Sequence, residues 1–221
     1  MQTYDVHIRF TQPVLGTASA DPAIHERFIA SKAPDAPSLR EEVEALGADA
    51  VQERGTTVFP KDKNGVPFLW DYQVKGFFKD ACKFCRETDD AVSKGIPAYK
   101  SKIDGLIFVR PRNIRLRVPE GEPIRINERP LRAQTAQGER VALASSEQLP
   151  EGTEADFCVT TLASSIGSRT PVKTEKALCE WFAYGALRGI GQWRNASFGT
   201  LRCRITNRDT GEVVFNNLVD D

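Results

Sequence analysis

The densest group of residues able to do chemistry is GALRGIGQWRNASFGTLRCRI, where Gly185, Gly189, Gly191 and Gly199 surround Arg188, Trp193 and Arg194. Glycine permits positive φ and close backbone approach. Exposed N–H groups in such a turn can receive phosphate oxygens, and arginines add charge and bidentate hydrogen bonds. Trp193 offers a stacking face for an unpaired base. Together these residues suit a single-stranded phosphate backbone, RNA or DNA. The same glycines also suit an ordinary helix C-terminal cap with Trp193 in the core, and glycine content alone favours the cap. A Walker phosphate loop does not fit, because no Gly-Lys-Ser/Thr follows and the turn leads from helix to strand; a dinucleotide fingerprint fails on the same order.

A second concentration of charge lies upstream. Arg110, Arg112, Arg115, Arg117, Arg125, Arg129, Arg132 and Arg140 are opposed by four glutamates in the same interval. On a strand Arg115 and Arg117 share one face, with Ile114, Leu116 and Val118 on the other. Such a stripe can track a phosphate chain with salt-sensitive affinity, or it can be a solvated strand face that discourages edge pairing.

Other candidates are few. The histidines are His7 and His25; His7 sits within strand alternation and reads as structural. Cys82 and Cys85 have Cys-x-x-Cys spacing but lie on an apolar helical face, and Cys158, Cys179 and Cys203 fall where small apolar residues belong, so core thiols are expected rather than a zinc site. No Ser/His/Asp group or paired-carboxylate motif stands out. Neither a cofactor nor a metal is expected.

The elements that must position these residues follow from periodicity. Tyr4, Val6, Ile8 and Phe10 alternate with Asp5, His7 and Arg9, the period of a half-buried strand. Residues 20–55 are polar and Ala/Glu-rich, with SLREEVEALGADAV as a helix stopped near Gly47. VKGFFKDACKFCRE places Val74, Phe77, Phe78, Ala81, Cys82 and Cys85 on one helical face. Residues 89–103 read as a loop, and GLIFVRPRNIRLRV as a strand broken at Pro111. Residues 119–154 read as hairpins or long loops, DFCVTTL as a strand, and 164–171 as a polar turn. TEKALCEWFAYGALRG reads as a helix with Thr174 as its N-cap, and Leu201, Cys203 and Ile205 alternate in a last strand. The order strand, helix, strand, strand, helix, strand predicts a ferredoxin-like α+β sandwich (βαββαβ), a single domain over 1–221 with insertions at about 20–58 and 113–154.

Bulk composition agrees with an ordinary globular chain of 221 residues: 40% hydrophobic, 27% charged, and a formal net charge of zero from 30 basic and 30 acidic residues. A chain-wide basic excess is therefore excluded as a basis for nucleic-acid binding; only local clustering can serve. The sequence has no apolar run near the length of a membrane span, and an odd number of cysteines without secretory context fits free thiols in a reducing cytoplasm.

Read with its flanking helix and strand, GIGQWRNASFGTLRCRI resembles the C-terminal glycine-rich motif of the RAMP superfamily, CRISPR-associated ferredoxin-fold proteins that form effector-complex backbones or process guide RNA. FTQPVLGTASAD resembles the family's first strand and its Pro/Gly turn. NGVPFLWDYQVKGFFKDA resembles its Gly-x-Pro turn and Lys-Gly pair opening the first helix, carried by Gly65, Pro67, Lys75 and Gly76. The order of the three matches the family. Tyr72, Gln73 and Val74 replace the family's small hydroxyl residues and the turn is less glycine-dense, departures that suit a divergent relative, such as one encoded by a phage or prophage.

The resemblance implies that Lys75, Arg188, Arg194 and the backbone around Gly189–Gly191 face nucleic acid, and that the chain associates with itself in a filament or with a CRISPR effector complex. It also offers His25 as a general acid or base and Asp21 as a cleaving aspartate, each a weak candidate. The expectation is thus a cytoplasmic, non-catalytic binder of single-stranded RNA or DNA. Two alternatives stay open: a metal-independent endoribonuclease of the same superfamily, and a viral interaction protein that mimics or caps a host effector complex.

Overall fold

The computed structural model describes residues 1–19, 56–135, 138–167 and 172–218, the side chains of 131–142 excepted. In chain order its elements are β1 (Gln2–Phe10), β2 (Val14–Leu15), β3 (Ala18–Ser19), β4 (Thr57–Val58), β5 (Phe68–Trp70), α1 (Asp71–Cys85), α2 (Tyr99–Leu106), β6 (Ile107–Arg110), β7 (Asn113–Arg115), β8 (Arg125–Thr135), β9 (Gly138–Leu149), β10 (Glu154–Thr161), β11 (Ser165–Ile166), β12 (Val172–Lys173), α3 (Thr174–Arg188), β13 (Leu201–Asn207) and β14 (Val213–Asn216). Short 3-10 turns lie at Val92–Gly95 and Arg194–Ala196. The chain forms two compact units, one of residues 1–14, 61–122 and 150–221, the other of 15–60 and 123–149. The stretch SLREEVEALGADAV, with Asp21 and His25, lies outside the described residues.

The first unit is organised by a sheet in the order β14-β13-β1-β10-β6, every neighbouring pair antiparallel. Its alternation sorts the two faces. Tyr4, Val6, Ile8 and Phe10 are buried together with Ala155, Phe157, Val159, Leu201, Cys203 and Ile205. The helices α1 and α3 pack on that side, where the Phe182 ring lies 5.9 Å from Phe77, 5.3 Å from Phe78 and 6.3 Å from Phe157. Each such buried phenyl stabilises the fold by about 1.5–3 kcal/mol. This mixed α+β arrangement is consistent with a ferredoxin-like sandwich.

Both long helices carry an apolar stripe at three- and four-residue spacing: Val74, Phe77, Phe78, Ala81, Cys82 and Cys85 on α1, and Ala177, Leu178, Trp181, Phe182 and Gly185 on α3. Helix α1 starts where the Gln73 side chain reaches back to accept the Trp70 backbone N–H at 2.7 Å. Lys75 and Gly76 therefore sit in its second turn rather than opening it. The N-cap of α3 is Lys173, not Thr174. The Thr174 hydroxyl donates instead to the Ala163 carbonyl at 2.7 Å, tying the helix to the preceding strand connection.

Residues 89–103, expected as loop, contain the 3-10 turn and the start of α2. A single buried side chain on α2, Ile103, leaves no repeated stripe for the sequence to announce. Its fixings are tertiary: Asp104 bridges Lys79 of α1 at 2.6 Å, and the 3-10 turn hangs from Glu180 of α3, which accepts the Val92 and Ser93 N–H groups at 2.7 and 3.0 Å. On either side of Pro111 the arginine-rich strand divides, β6 joining the central sheet and β7 pairing with β5.

In the second unit β8 and β9 form a long antiparallel hairpin with Thr135 opposite Gly138, and β9 continues into a sheet in the order β2-β9-β4-β3. Its interior is partly polar. Glu147 accepts the Phe59 N–H at 2.8 Å, and the buried Arg129 donates to Asn127 Oδ1 and Ser146 Oγ, both at 3.3 Å. Such groups are tolerated inside because they are hydrogen-bonded.

Candidate nucleic-acid interface

Helix α3 ends because Gly189 takes φ 73°, with its N–H donating back to the Gly185 carbonyl at 3.1 Å. The chain then passes against itself. Ile190 N–H donates to Gly199 O at 2.9 Å, and Gly199 N–H donates to Pro13 O at 2.8 Å, just beyond β1. A Cβ on Gly189 would lie 2.2 Å from the Gly199 carbonyl carbon, and one on Gly199 would lie 1.9 Å from Ile190 O. Gly199 also has φ 73°, so both the space and the backbone demand glycine at these two positions. Gly191, at φ 103°, completes the reversal. The N–H groups of Gly189, Ile190 and Gly199 are thus engaged inside the fold.

The arginines of the turn reach across to α1. Arg194 Nη1 lies 2.6 Å from Asp80 Oδ2, and Arg188 Nε lies 3.7 Å from the same oxygen. Arg188 also donates from Nη1 to Asn195 Oδ1, while its buried Nε has no hydrogen-bond partner. Both arginine side chains are about a quarter exposed, at 28% and 25%. One carboxylate serving two guanidiniums leaves one positive charge over, and partial burial weakens solvent screening of it.

Two aromatic pairs flank these charges. Trp193, 40% exposed, stacks on Phe198 with ring centroids 5.4 Å apart and planes 24° off parallel. On the helix side Phe84 stacks on Tyr184 at 6.5 Å and 17°. Lys83 Nζ lies 4.9 Å and Arg188 Cζ 5.8 Å from the Phe84 ring centroid. Leu187 is 78% exposed on the same end of α3. Burial raises the Tyr184 phenol above its ordinary value, with the Asp80 charge acting in the same direction. Phe84, Tyr184, Lys83, Asp80 and Phe198 were not singled out from the sequence. A partial signal existed for Phe84, an aromatic falling off the apolar stripe of α1.

The structure gathers Arg188, Gly189, Gly191, Trp193 and Arg194 at the end of α3. The remaining expected contacts are held elsewhere. Lys75 Nζ donates to the Asp104 carbonyl at 3.2 Å and lies 4.8 Å over the Phe108 ring. Arg115 and Arg117 are exposed while Ile114 and Leu116, which alternate with them, are buried. They hold separate acids. Arg115 Nη2 is 2.7 Å from Asp62, and Arg117 is 2.5 Å from Asp156 and 3.4 Å from Glu154. Burial alone would raise the Asp156 carboxyl, but hydrogen bonds from His7 and Arg117 outweigh it and hold the group below the usual carboxylate range.

Cys82, Cys85 and Cys203 are buried, and that burial pushes the Cys85 thiol up to about 11. Among the described residues no group of three or more His, Cys, Asp or Glu side chains is placed to hold a metal ion, and no helix is long and apolar enough to cross a membrane.

No protein-family model matches the chain, and no curated protein does. Among solved structures it resembles a chain in the cryo-EM structure of the type III-B Cmr-beta bound to cognate target RNA, with a TM-score of 0.52 and 10% identity. The match covers 93% of this chain but spans only 60% of the other. At that identity the likeness is one of fold, a mixed α+β arrangement of antiparallel sheets consistent with a ferredoxin-like sandwich.

Proposed function

We propose that this chain is a non-catalytic, RAMP-like protein of βαββαβ topology that binds single-stranded RNA with the end of α3 and the turn that follows it. The observation that carries the reading is the pair of arginines sharing Asp80 between two stacked aromatic pairs, Trp193/Phe198 and Phe84/Tyr184. Surplus charge attracts phosphate, and exposed ring faces accept bases without regard to sequence. The glycines hold the shape of the turn, while the side chains make the contacts. Lys75, Arg115 and Arg117, which lie apart from the turn, would serve as further phosphate contacts. The fold shared with a chain of an RNA-bound CRISPR structure supports work within such an assembly.

The test is a salt-dependent titration of single-stranded RNA, single-stranded DNA and duplex against wild type and the Arg188→Ala/Arg194→Ala double variant. Loss of two phosphate contacts lowers affinity about 10- to 100-fold near 0.1 M salt and reduces the salt slope by about 1.4. Equal binding by the double variant at every salt concentration would falsify the reading.

A further inference from the structure

The face of the central sheet turned away from α1 and α3 carries the other half of each strand's alternation. His7 stands between Arg204 on β13 and Asp156 on β10, and the row beside it runs Thr206, Asp5, Cys158, Arg110 across four strands. These residues surround an open cavity of about 720 Å³, whose charged lining includes Asp5, Asp156, Arg110, Arg112, Arg204 and Arg208.

The charges do not balance. Arg208 holds Asp5, with Nε 3.1 Å from each carboxylate oxygen. Asp156 is engaged by His7 at 2.8 Å and by Arg117 at 2.5 Å. Both acids of the lining are therefore already neutralised. Arg112 lies 5.4 Å over the Trp70 ring, which leaves its charge uncancelled. Among the described residues Arg110 and Arg204 have no side-chain hydrogen bond or salt bridge, and both are exposed. They sit on opposite flanks of the cavity, three strand spacings apart, or roughly 14 Å. Two rings belong to the lining: Phe157 is buried against Phe182 on the helix side, and the partly exposed His7 imidazole is held by Asp156 at 2.8 Å.

We infer that this open sheet face is a second site for the phosphodiester backbone of a single strand, held by Arg110 and Arg204 and blind to its bases. An arginine at each flank, and a floor whose one partly exposed ring, His7, is already engaged by Asp156, match a chain of spaced phosphates rather than a stacked base. Sheets that read RNA bases do so by stacking them on exposed aromatic residues; here Asp5, Cys158 and Arg204 occupy such places, and the one ring among them, His7, is tied to Asp156. The inference rests on the protein being a nucleic-acid binder, but it needs none of the residues of the α3 turn.

The experiment compares wild type, Arg110→Ala/Arg204→Ala and Arg188→Ala/Arg194→Ala by fluorescence anisotropy over a salt series. The probes are oligouridine, an abasic oligonucleotide of the same length, and poly-glutamate. The expected result is that Arg110→Ala/Arg204→Ala weakens oligouridine and the abasic strand equally, about 10-fold at low salt, and lowers the salt slope of each by about 1.4. An unchanged melting temperature confirms that these exposed positions leave the fold intact. Wild-type binding of both strands by Arg110→Ala/Arg204→Ala overturns the inference, as does a loss confined to poly-glutamate, which would mark an acidic protein partner. If Arg188→Ala/Arg194→Ala binds like wild type while Arg110→Ala/Arg204→Ala does not, the turn reading fails and the sheet site stands. The reverse pattern sinks the sheet site alone.

Discussion

At the end of α3, Arg188 and Arg194 are about three-quarters buried and converge on Asp80, whereas Arg110 and Arg204 stand exposed on the open sheet face without a side-chain partner among the described residues. The turn offers two stacked aromatic pairs; the sheet cavity offers one partly exposed ring, His7, already held by Asp156. The difference is one of preorganisation. Side chains already fixed by packing lose little rotamer freedom when a ligand arrives, while exposed arginines must be ordered at a cost of about 0.5–1.5 kcal/mol each. On the proposed reading the turn is suited to holding a strand in one pose, and the sheet face to attracting it by charge.

The most severe way to break the contrast is to unmake the turn's shape. Gly199→Ala drives a Cβ to 1.9 Å from Ile190 O at φ 73°, and the expected loss of stability is about 3 kcal/mol or more by denaturant unfolding. A loss below about 1 kcal/mol would show that the turn has room to relax and that its glycines are not dictated by this contact. Phe78→Ala, which touches neither site directly, costs a comparable 3–5 kcal/mol because it opens a cavity between α1 and α3.

Asp80→Asn sharpens the comparison from the other side. It removes the carboxylate shared by both arginines, so stability falls by about 1–3 kcal/mol while electrostatic attraction for RNA at the turn rises. Weaker RNA binding together with an intact fold would mean that the geometry Asp80 imposes matters more than the charge it cancels. Trp193→Ala removes one stacking face and weakens oligouridine by about 1–3 kcal/mol, with binding of an abasic strand unaffected. Equal losses on both probes would place Trp193 in the support of the turn rather than in contact with bases.

The smallest effect is on acid stability at the sheet face. The folded Asp156 carboxyl titrates below its unfolded value, so the stability it contributes is present above the unfolded pKa and is lost as pH falls through the folded one. Because Asp156 is 55% exposed, solvent screens its ion pair and the contribution is small. Asp156→Asn should flatten the acid limb of the stability–pH curve slightly; a steeper limb would contradict the direction of the shift.

Much of the framework is legible in the sequence because periodicity is a local property. The alternation of Tyr4, Val6, Ile8 and Phe10, and the stripes of α1 and α3, each announce an element and its buried side within one window of chain. Helix α2 escaped that logic, since one buried residue, Ile103, makes no pattern. Thr174 looked like a cap from its neighbours alone, but the Ala163 carbonyl, brought close by the fold, claims its hydroxyl.

By itself the sequence determined where glycine and arginine are dense and that Arg115 and Arg117 share a side opposite Ile114 and Leu116. It could not determine which charges remain available, because that depends on partners distant in the chain. Asp80 lies 114 residues from Arg194, and packing of α1 against α3 is what makes it a shared counter-ion. The strand register sets Arg204 beside His7 and Arg110 beside Cys158, turning scattered arginines into the two flanks of one cavity. Which charges stay available is decided by the tertiary structure for a physical reason: electrostatic balance is a sum over neighbours in space, and chain order supplies only the local ones.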